Sequence, residues 1–80
     1  MLEDLTAVQL VVLSMIMNYI AEHQRPPTNV EIARKMKWSS ANAARDVLKA
    51  LEKKEYIELR PNTARNIKIL NHSLVWIDVH

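Results

Sequence analysis

The sequence predicts one mostly helical α+β domain of the winged helix-turn-helix class, with three helices, a β-hairpin wing and a short C-terminal strand or tail. Three observations support this prediction. Residues 28–54 contain two short amphipathic patterns separated by a tight turn. Residues 56–60 and 66–70 then alternate apolar and polar side chains, which is typical of strands. A longer apolar-striped segment precedes both, and 80 residues correspond to one domain.

The first helix is expected to begin at a capping box, because Thr6 is followed three residues later by Gln9. It should end before the prolines at 26 and 27, since a residue that precedes proline avoids the α region. One side of this helix carries apolar side chains at helical spacing and should face the core. These residues are Val12, Leu13, Ile16, Tyr19 and Ile20.

The second helix should begin at another capping box, formed by Thr28 and Glu31. Its apolar side chains, which should also face the core, are Ile32, Ala33 and Met36. The turn that follows contains Trp38, which we expect to fill the angle between the second and third helices. Stacking of Trp38 on a nucleic-acid base is the alternative.

The third helix is predicted over residues 39–54, capped by Ser39 or Ser40. Its buried stripe should consist of Ala44, Val47, Leu48 and Leu51. The two alternating segments, with a polar turn at 61–65, form the hairpin wing. Residues 74–79 alternate again, as a third short strand or a docked tail would. We therefore divide the chain into a winged-helix domain at 1–70 and a tail at 71–80, a possible dimerisation element.

The composition argues against several classes of function. There is no cysteine, and three histidines lack metal-ligand spacing, so we expect no metal site. The sequence contains no glycine-rich loop and no pattern of nucleophile, histidine and acid, so we expect neither an enzyme nor a bound cofactor. Residues 7–21 are too short and too polar to span a bilayer, and acidic residues near the N-terminus do not fit a signal peptide. The sequence predicts a cytoplasmic protein without a small-molecule ligand.

Charge is unevenly distributed along the chain, whose net charge is +2. Residues 1–31 contain one arginine against four acidic residues, whereas residues 32–70 contain ten basic residues against four acidic ones. A basic half that includes the third helix fits a surface that binds phosphate. A solvated basic surface is the alternative interpretation.

Several short motifs follow one another along residues 5–70. They read Leu5-Thr6-x-x-Gln9, Pro26-Pro27-Thr28-x-x-Glu31-Ile32-Ala33, Ser40-x-Asn42-Ala43-Ala44, Leu48-Lys49-Ala50-Leu51 and Tyr56-Ile57-Glu58, with Arg65 in the wing. Together they resemble the N-terminal DNA-binding domain of LexA-type repressors. The resemblance implies a winged helix that binds double-stranded DNA in a sequence-specific way and regulates transcription, as a repressor of bacterial or phage origin.

The sequence departs from that family in features that affect function. LexA-type repressors have a second, self-cleaving domain with an Ala-Gly scissile bond. This sequence ends at His80 and contains no glycine, so we expect no self-cleavage. The family also has two acidic residues where this sequence has Arg45 and Asp46. We therefore expect the DNA sequence that is read to differ from the family's operator.

The absence of glycine also predicts strained turns. The family's glycines fall near Lys37, Glu55, Asn62 and Asn66 in this sequence. Asparagine tolerates the left-handed backbone region best among the other residues, which suits the two wing positions. Lys37 and Glu55 would each cost roughly 1 kcal/mol if they kept that conformation, and turns of altered geometry are the alternative.

The start of the third helix is expected to enter the major groove of DNA. Asn42 can pair with adenine through two hydrogen bonds, Ala43 can contact a thymine methyl group, and Arg45 can reach guanine or a phosphate. Helix capping is the alternative role for Ser39, Ser40 and Asn42. The predicted base contacts are Ser39, Ser40, Asn42, Ala43, Arg45 and Asp46.

Other residues are expected to contact the DNA backbone and to fix the register without reading sequence. Thr28 lies at the start of the second helix, where free N–H groups favour an anion. Lysines further along the third helix and polar residues of the wing can follow the backbone or the minor groove. The predicted phosphate contacts are Thr28, Lys49, Lys53, Arg60, Asn62, Thr63 and Arg65.

The solvent side of the first helix is predicted to be uncharged, whereas LexA-type repressors have charged residues there. In water, Leu10, Val11 and Met17 would form an apolar patch of a kind that small soluble proteins avoid. We expect a second copy of the chain to cover it in a symmetric homodimer, with the chain's own tail as the alternative. The predicted interface residues are Leu10, Val11, Ser14, Met17, Leu74 and Trp76.

A sequence-specific regulator that binds double-stranded DNA is therefore the leading interpretation. The alternative is a winged-helix protein-interaction module, such as an antirepressor or a partner of another regulator. The apolar first helix suits both functions, whereas the basic half and the Ser40, Asn42 and Ala43 motif favour DNA.

Overall fold

The computed structural model describes residues 4–61 and 65–70. Within these residues the chain forms α1 (Ala7–His23), α2 (Asn29–Met36), α3 (Ala41–Lys53), β1 (Ile57–Leu59) and β2 (Ile67–Ile69). This is the predicted mostly helical arrangement, in which α2 and α3 form the helix-turn-helix and the β1–β2 hairpin forms the wing. The predicted third strand or tail at 71–80 lies outside the described residues.

Side-chain caps determine where the first two helices begin. Thr6 Oγ1 accepts from the backbone N–H of Gln9 at 3.2 Å, and Gln9 Oε1 accepts from the backbone N–H of Thr6 at 3.1 Å. Thr28 and Glu31 form the same reciprocal pair, at 3.2 Å and 2.8 Å. Both predicted capping boxes are confirmed, and each satisfies N–H groups that a helix start leaves without intrahelical partners.

The helix α3 packs against α1, α2 and β1 and therefore lies at the centre of the domain. Every element contributes apolar side chains to one core, and each fully buried valine, leucine or isoleucine stabilises the fold by roughly 1.5–3 kcal/mol. The buried apolar residues are Val12, Leu13, Ile16, Ile32, Ala33, Ala44, Leu48, Leu51, Tyr56, Ile57, Ile67 and Ile69. Trp38 is half-buried and packs against this core, as predicted for the residue that fills the helix–helix angle.

The strands β1 and β2 pair antiparallel, and their burial alternates as the period of a strand requires. Ile57 and Ile69 lie opposite each other and are both buried. Ile67 is buried as well, whereas Lys68 between the two isoleucines of β2 is exposed. The predicted wing hairpin is confirmed, and its inner face belongs to the core.

Residues other than glycine adopt the left-handed backbone conformation where α1 and α2 end and in the turn after α3. Lys37 and Glu55 have φ angles of 60° and 68°, so both keep the left-handed conformation and the alternative of altered turn geometry does not apply. Gln24, which ends α1, has a φ of 63°, although no family glycine pointed to this position. The prediction for Asn66 is wrong, because it is not among the described residues with positive φ. Its carbonyl instead accepts from the Arg60 N–H at 2.8 Å, which closes the hairpin.

Candidate nucleic-acid interface

The solvent face of α3 is long and polar. Its exposed residues lie three or four positions apart, which puts them on one side of the helix. They are Asn42, Arg45, Asp46, Lys49 and Lys53. The helix has 13 residues and is therefore about 20 Å long, a rod that the major groove of DNA can admit. Of the predicted base contacts, Ala43 differs because it is half-buried at the edge of this face.

The first turn of α3 is capped by Ser40 and not by Ser39. Ser40 Oγ accepts from the backbone N–H of Asn42 at 3.0 Å. Of the two serines considered as the helix cap, Ser40 is therefore the one that has this role. Both serines are exposed. The Ser40 hydroxyl can still donate outward, because a hydroxyl group accepts and donates at the same time. The cap holds the turn that presents the Asn42 side chain.

A groove of about 260 Å³ lies between α3, the base of the wing and the start of α2. Two cationic, two amide and two apolar side chains line it, namely Arg45, Lys49, Asn29, Asn66, Leu48 and Leu59. Cations and amide donors are the groups that hold phosphate oxygens. The structure thus brings Arg45 and Lys49 together with two asparagines that were not predicted as contacts. The position of Asn29, directly after the cap of α2, was the available signal for it.

The start of α2 already holds an anionic side chain. The carboxylate of Glu31 accepts from the Thr28 backbone N–H at 2.8 Å, and Thr28 Oγ1 accepts from the Glu31 N–H at 3.2 Å. A carboxylate at this position is stabilised by the partial positive charge of the helix N-terminus. The phosphate contact of Thr28 stays a prediction, and the proton of its hydroxyl group is the donor available for it.

The two arginines that flank the wing loop differ in their surroundings. Arg60 is exposed, as a phosphate contact requires. The side chain of Arg65 is 31% exposed, and its Nη1 and Nη2 donate to the two carboxylate oxygens of Glu31 at 3.0 Å and 3.2 Å. Nη1 also donates to the Pro26 carbonyl at 2.8 Å and, at 3.4 Å, to the Tyr19 hydroxyl. Arg65 thus connects the wing to the segment before α2 and to α1.

This ion pair changes the titration of Glu31. The hydrogen bond from the Arg65 guanidinium, and after it the one from the Thr28 backbone, lowers the pKa of Glu31 from 4.5 to about 2. The same carboxylate raises the pKa of Arg65. Both groups are therefore charged across the neutral range.

A family model for the LexA DNA binding domain matches residues 2–66 of this chain. The chain belongs to the LexA DNA-binding domain family. The match includes all three helices of the described structure and the first wing strand, and so confirms the resemblance that the motifs indicated.

LexA repressors of several organisms are similar to the chain over most of its length. The LexA repressor of Shewanella frigidimarina is 47% identical over 68 residues, which are 85% of this chain and 33% of that protein. That of Shewanella pealeana is 46% identical over 72 residues, 90% of this chain and 35% of the relative. That of Aeromonas salmonicida is 46% identical over 69 residues, 86% and 33% of the two chains. The chain spans about a third of the length of these curated relatives.

In this LexA-family domain, α1 exposes apolar side chains near its start. Leu10 is 46% and Val11 is 52% exposed, as predicted, and Val8 at 47% extends the patch. Ser14 is half-buried. The expectation that Met17 lies in solvent is wrong, because it is half-buried and packs against the core next to the fully buried Ile16.

Some predicted contacts of the LexA-family domain fall outside the described residues. They are Asn62 and Thr63 in the wing loop and Leu74 and Trp76 in the C-terminal segment. Over residues 4–61 and 65–70, no group of three or more His, Asp or Glu side chains could hold a metal ion. In the same part of the chain, no helix combines the length and the apolar character needed to cross a bilayer.

Proposed function

We propose that this chain is the sequence-specific DNA-binding unit of a transcriptional repressor, with α3 in the major groove of double-stranded DNA. The observation that carries the proposal is the exposed polar face of α3, which continues through the groove beside Arg45 and Lys49 to the base of the wing. A protein that reads DNA needs both a helix that fits the groove and neighbouring cations for the phosphates. The proposed role is binding and involves no catalytic group.

Base reading is assigned to the first turns of α3. Asn42 is exposed and can form two hydrogen bonds with adenine, while Arg45 can pair with guanine. Ala43 is half-buried at the edge of the face, so only its methyl group can contact a thymine. Ser39 and Ser40 can donate to base edges or to the backbone. Asp46 can accept from cytosine, and together with Arg45 it would make the preferred sequence differ from that of relatives with two acidic residues there.

Phosphate binding is assigned to the groove and to the exposed cations around it. Arg45 and Lys49 would supply charge, and the amides of Asn29 and Asn66 would supply neutral donors from α2 and the wing. Lys53 on α3 and Arg60 on β1's side of the wing loop are exposed and extend the cationic surface. Each such contact releases counterions from DNA, so affinity should fall steeply as salt concentration rises.

The role of a repressor is proposed from the relatives, which are named LexA repressors. Because the chain spans about a third of their length, only the DNA-binding part of that activity is assigned here. A domain of this size buries only about 600–1,000 Å² on DNA, which is modest for a single copy.

Selection of binding sites from a randomised DNA pool tests the proposal. The selection is run at about 0.1–0.15 M salt, where sequence-independent binding is already weakened. Enrichment of a defined motif supports the assignment. No enrichment overturns it and makes a protein partner, bound by the apolar start of α1, the next candidate.

We further propose that the chain dimerises through the exposed face of α1 together with residues 71–80. The support is the apolar patch of Val8, Leu10 and Val11, each about half exposed. Patches of this kind mark contact surfaces in small proteins. Two copies would also present two recognition helices, which improves binding to paired half-sites.

Sedimentation equilibrium without DNA tests the dimer. A dimer that becomes a monomer in Leu10→Glu or Val11→Glu supports it. Val30→Glu is the matched control, because Val30 is likewise an apolar residue that is 53% exposed but belongs to α2 and not to α1. A monomeric wild-type chain at high concentration contradicts the dimer and leaves the chain's own C-terminal segment as the cover. In the site selection, a palindromic motif is the corresponding expectation.

A further inference from the structure

The side chain of Arg65 makes hydrogen bonds with three parts of the fold at once. From the wing, its guanidinium donates to the Glu31 carboxylate in α2, to the Pro26 carbonyl before α2 and to the Tyr19 hydroxyl in α1. The contact with Glu31 uses both Nη atoms and both carboxylate oxygens. This fork-to-fork geometry fixes direction as well as distance, which a single hydrogen bond does not.

The acceptor of this contact is itself held in place. Glu31 Oε1 also accepts from the Thr28 backbone N–H at 2.8 Å, as part of the capping box at the start of α2. Asn29, one residue after the cap, lines the groove with Arg45 and Lys49. Hydrogen bonds therefore connect the wing, through Arg65 and Glu31, to the helix start that borders the proposed phosphate groove.

Both Nη atoms of Arg65 are bonded to Glu31, and this bears on a direct phosphate contact by Arg65. If the guanidinium left Glu31 for a phosphate, the carboxylate would keep only the Thr28 N–H and would carry an uncompensated charge at the start of α2, two residues from a groove proposed for phosphate. Unlike Arg65, Arg60 at the other end of the wing loop is exposed and forms no ion pair within residues 4–61 and 65–70.

We propose that Arg65 is a positioning residue, which acts through Glu31 to hold the wing at a set angle to the helix-turn-helix. This inference rests on the proposed DNA-binding function. It replaces the phosphate contact predicted for Arg65 with an indirect role in the same activity.

A double-mutant cycle on DNA binding tests the proposal, with the full chain and the DNA site obtained by selection. The variants are Glu31→Gln, Arg65→Gln and the two combined. Each single change should weaken binding about three- to tenfold, and the combination should weaken it no further, because both remove the same contact. The dependence of log affinity on log salt should keep its slope, since no phosphate contact is lost.

Two further variants separate positioning from a phosphate contact. Arg65→Lys keeps the charge but not the fork, so it should bind as weakly as Arg65→Gln. Arg60→Gln is the matched control and should reduce the salt slope by about 0.9. All measurements are made well below the thermal midpoint of each variant. If Arg65→Gln does not fold, the single variants Glu31→Gln and Arg65→Lys provide the test.

The outcomes are distinct. The proposal is overturned if Arg65→Gln lowers the salt slope, if Arg65→Lys restores binding, or if Glu31→Gln leaves affinity unchanged or raises it. Any of these results, obtained with a wild-type chain that selects its site, rejects the positioning role and leaves the proposed function intact. A wild-type chain that selects no site rejects both.

Discussion

Lys54 and Gln9 are hydrogen-bonded across 45 positions of the chain, with Lys54 Nζ donating to Gln9 Oε1 at 2.7 Å. The same oxygen caps α1 by accepting from the Thr6 N–H. In the second capping box, Glu31 accepts from both the Thr28 N–H and Arg65, which is 34 positions away. Each capping side chain therefore joins a helix start to a distant cation, so that local and long-range structure depend on one group.

Replacement of Lys54 should reveal this link. Lys54→Met keeps most of the apolar stem but loses the hydrogen bonds to Gln9 and to the Asp4 carbonyl. We expect the free energy of unfolding in urea to fall by about 0.5–1.5 kcal/mol. Lys53→Met is the control, because Lys53 is exposed, and should stay within about 0.5 kcal/mol of wild type. Equal effects of the two changes would contradict the link.

Glycine at position 37 should stabilise the domain. Lys37 has a φ of 60° and an exposed side chain, so Lys37→Gly removes backbone strain and little else. We expect a gain of about 0.5–1 kcal/mol in urea unfolding, since the strain relieved exceeds the added freedom of the unfolded chain. Lys49→Gly, in the exposed interior of α3, should instead cost roughly 0.5–1 kcal/mol. A loss of stability in both variants would refute the explanation.

Acid should weaken the domain through Glu31. Its pKa of about 2 in the folded state lies below the ordinary 4.5, so the unfolded chain binds the proton more readily between these values. The stabilisation by this carboxylate is complete above about pH 4.5 and disappears as pH falls towards 2. In urea unfolding, the advantage of wild type over Glu31→Gln should shrink over this window. An advantage that does not change with pH would show that ionisation of Glu31 is not its source.

Asn42 and Lys49 should affect DNA binding in different ways. Asn42→Ala should reduce discrimination between the selected site and random DNA, because an asparagine that forms two hydrogen bonds with a base contributes roughly 1–3 kcal/mol of specificity. Lys49→Ala should weaken binding to both DNAs alike and lower the salt slope by about 0.9. Fluorescence anisotropy titrations at several salt concentrations measure both quantities. If each variant changed the two affinities equally, the assignment of separate roles would fail.

The order of elements and the core could be predicted from the sequence because their signals are local. Capping boxes at Thr6 and Thr28 and the helical spacing of apolar residues place the helices to within a residue or two. The positions of the turns at Lys37 and Glu55 came from the resemblance to a family with glycine there, but the sequence left open whether they keep the left-handed conformation.

The surroundings of Arg65 could not be predicted, because they depend on how distant segments pack. In the sequence, an arginine in a polar wing turn looks like a phosphate ligand, and only the fold brings Glu31, Pro26 and Tyr19 around it. The same applies to Asn29 and Asn66, which meet across the groove from different elements. Side-chain chemistry identified the residues able to bind phosphate, and packing determined which of them are available.

Burial of Ile57, Ile67 and Ile69 bears on the mechanics of the wing. Strands of three residues do not persist alone in water, so the hairpin exists only as part of the core. Opening the hairpin would expose these isoleucines, so the amide protons of Arg60 and Leu70, bonded to the carbonyls of Asn66 and Tyr56, should be protected from exchange with solvent. A hairpin held by the core in this way is stiff, and if it follows the minor groove, one of the two paths expected from the sequence, it should favour DNA whose groove width already matches it.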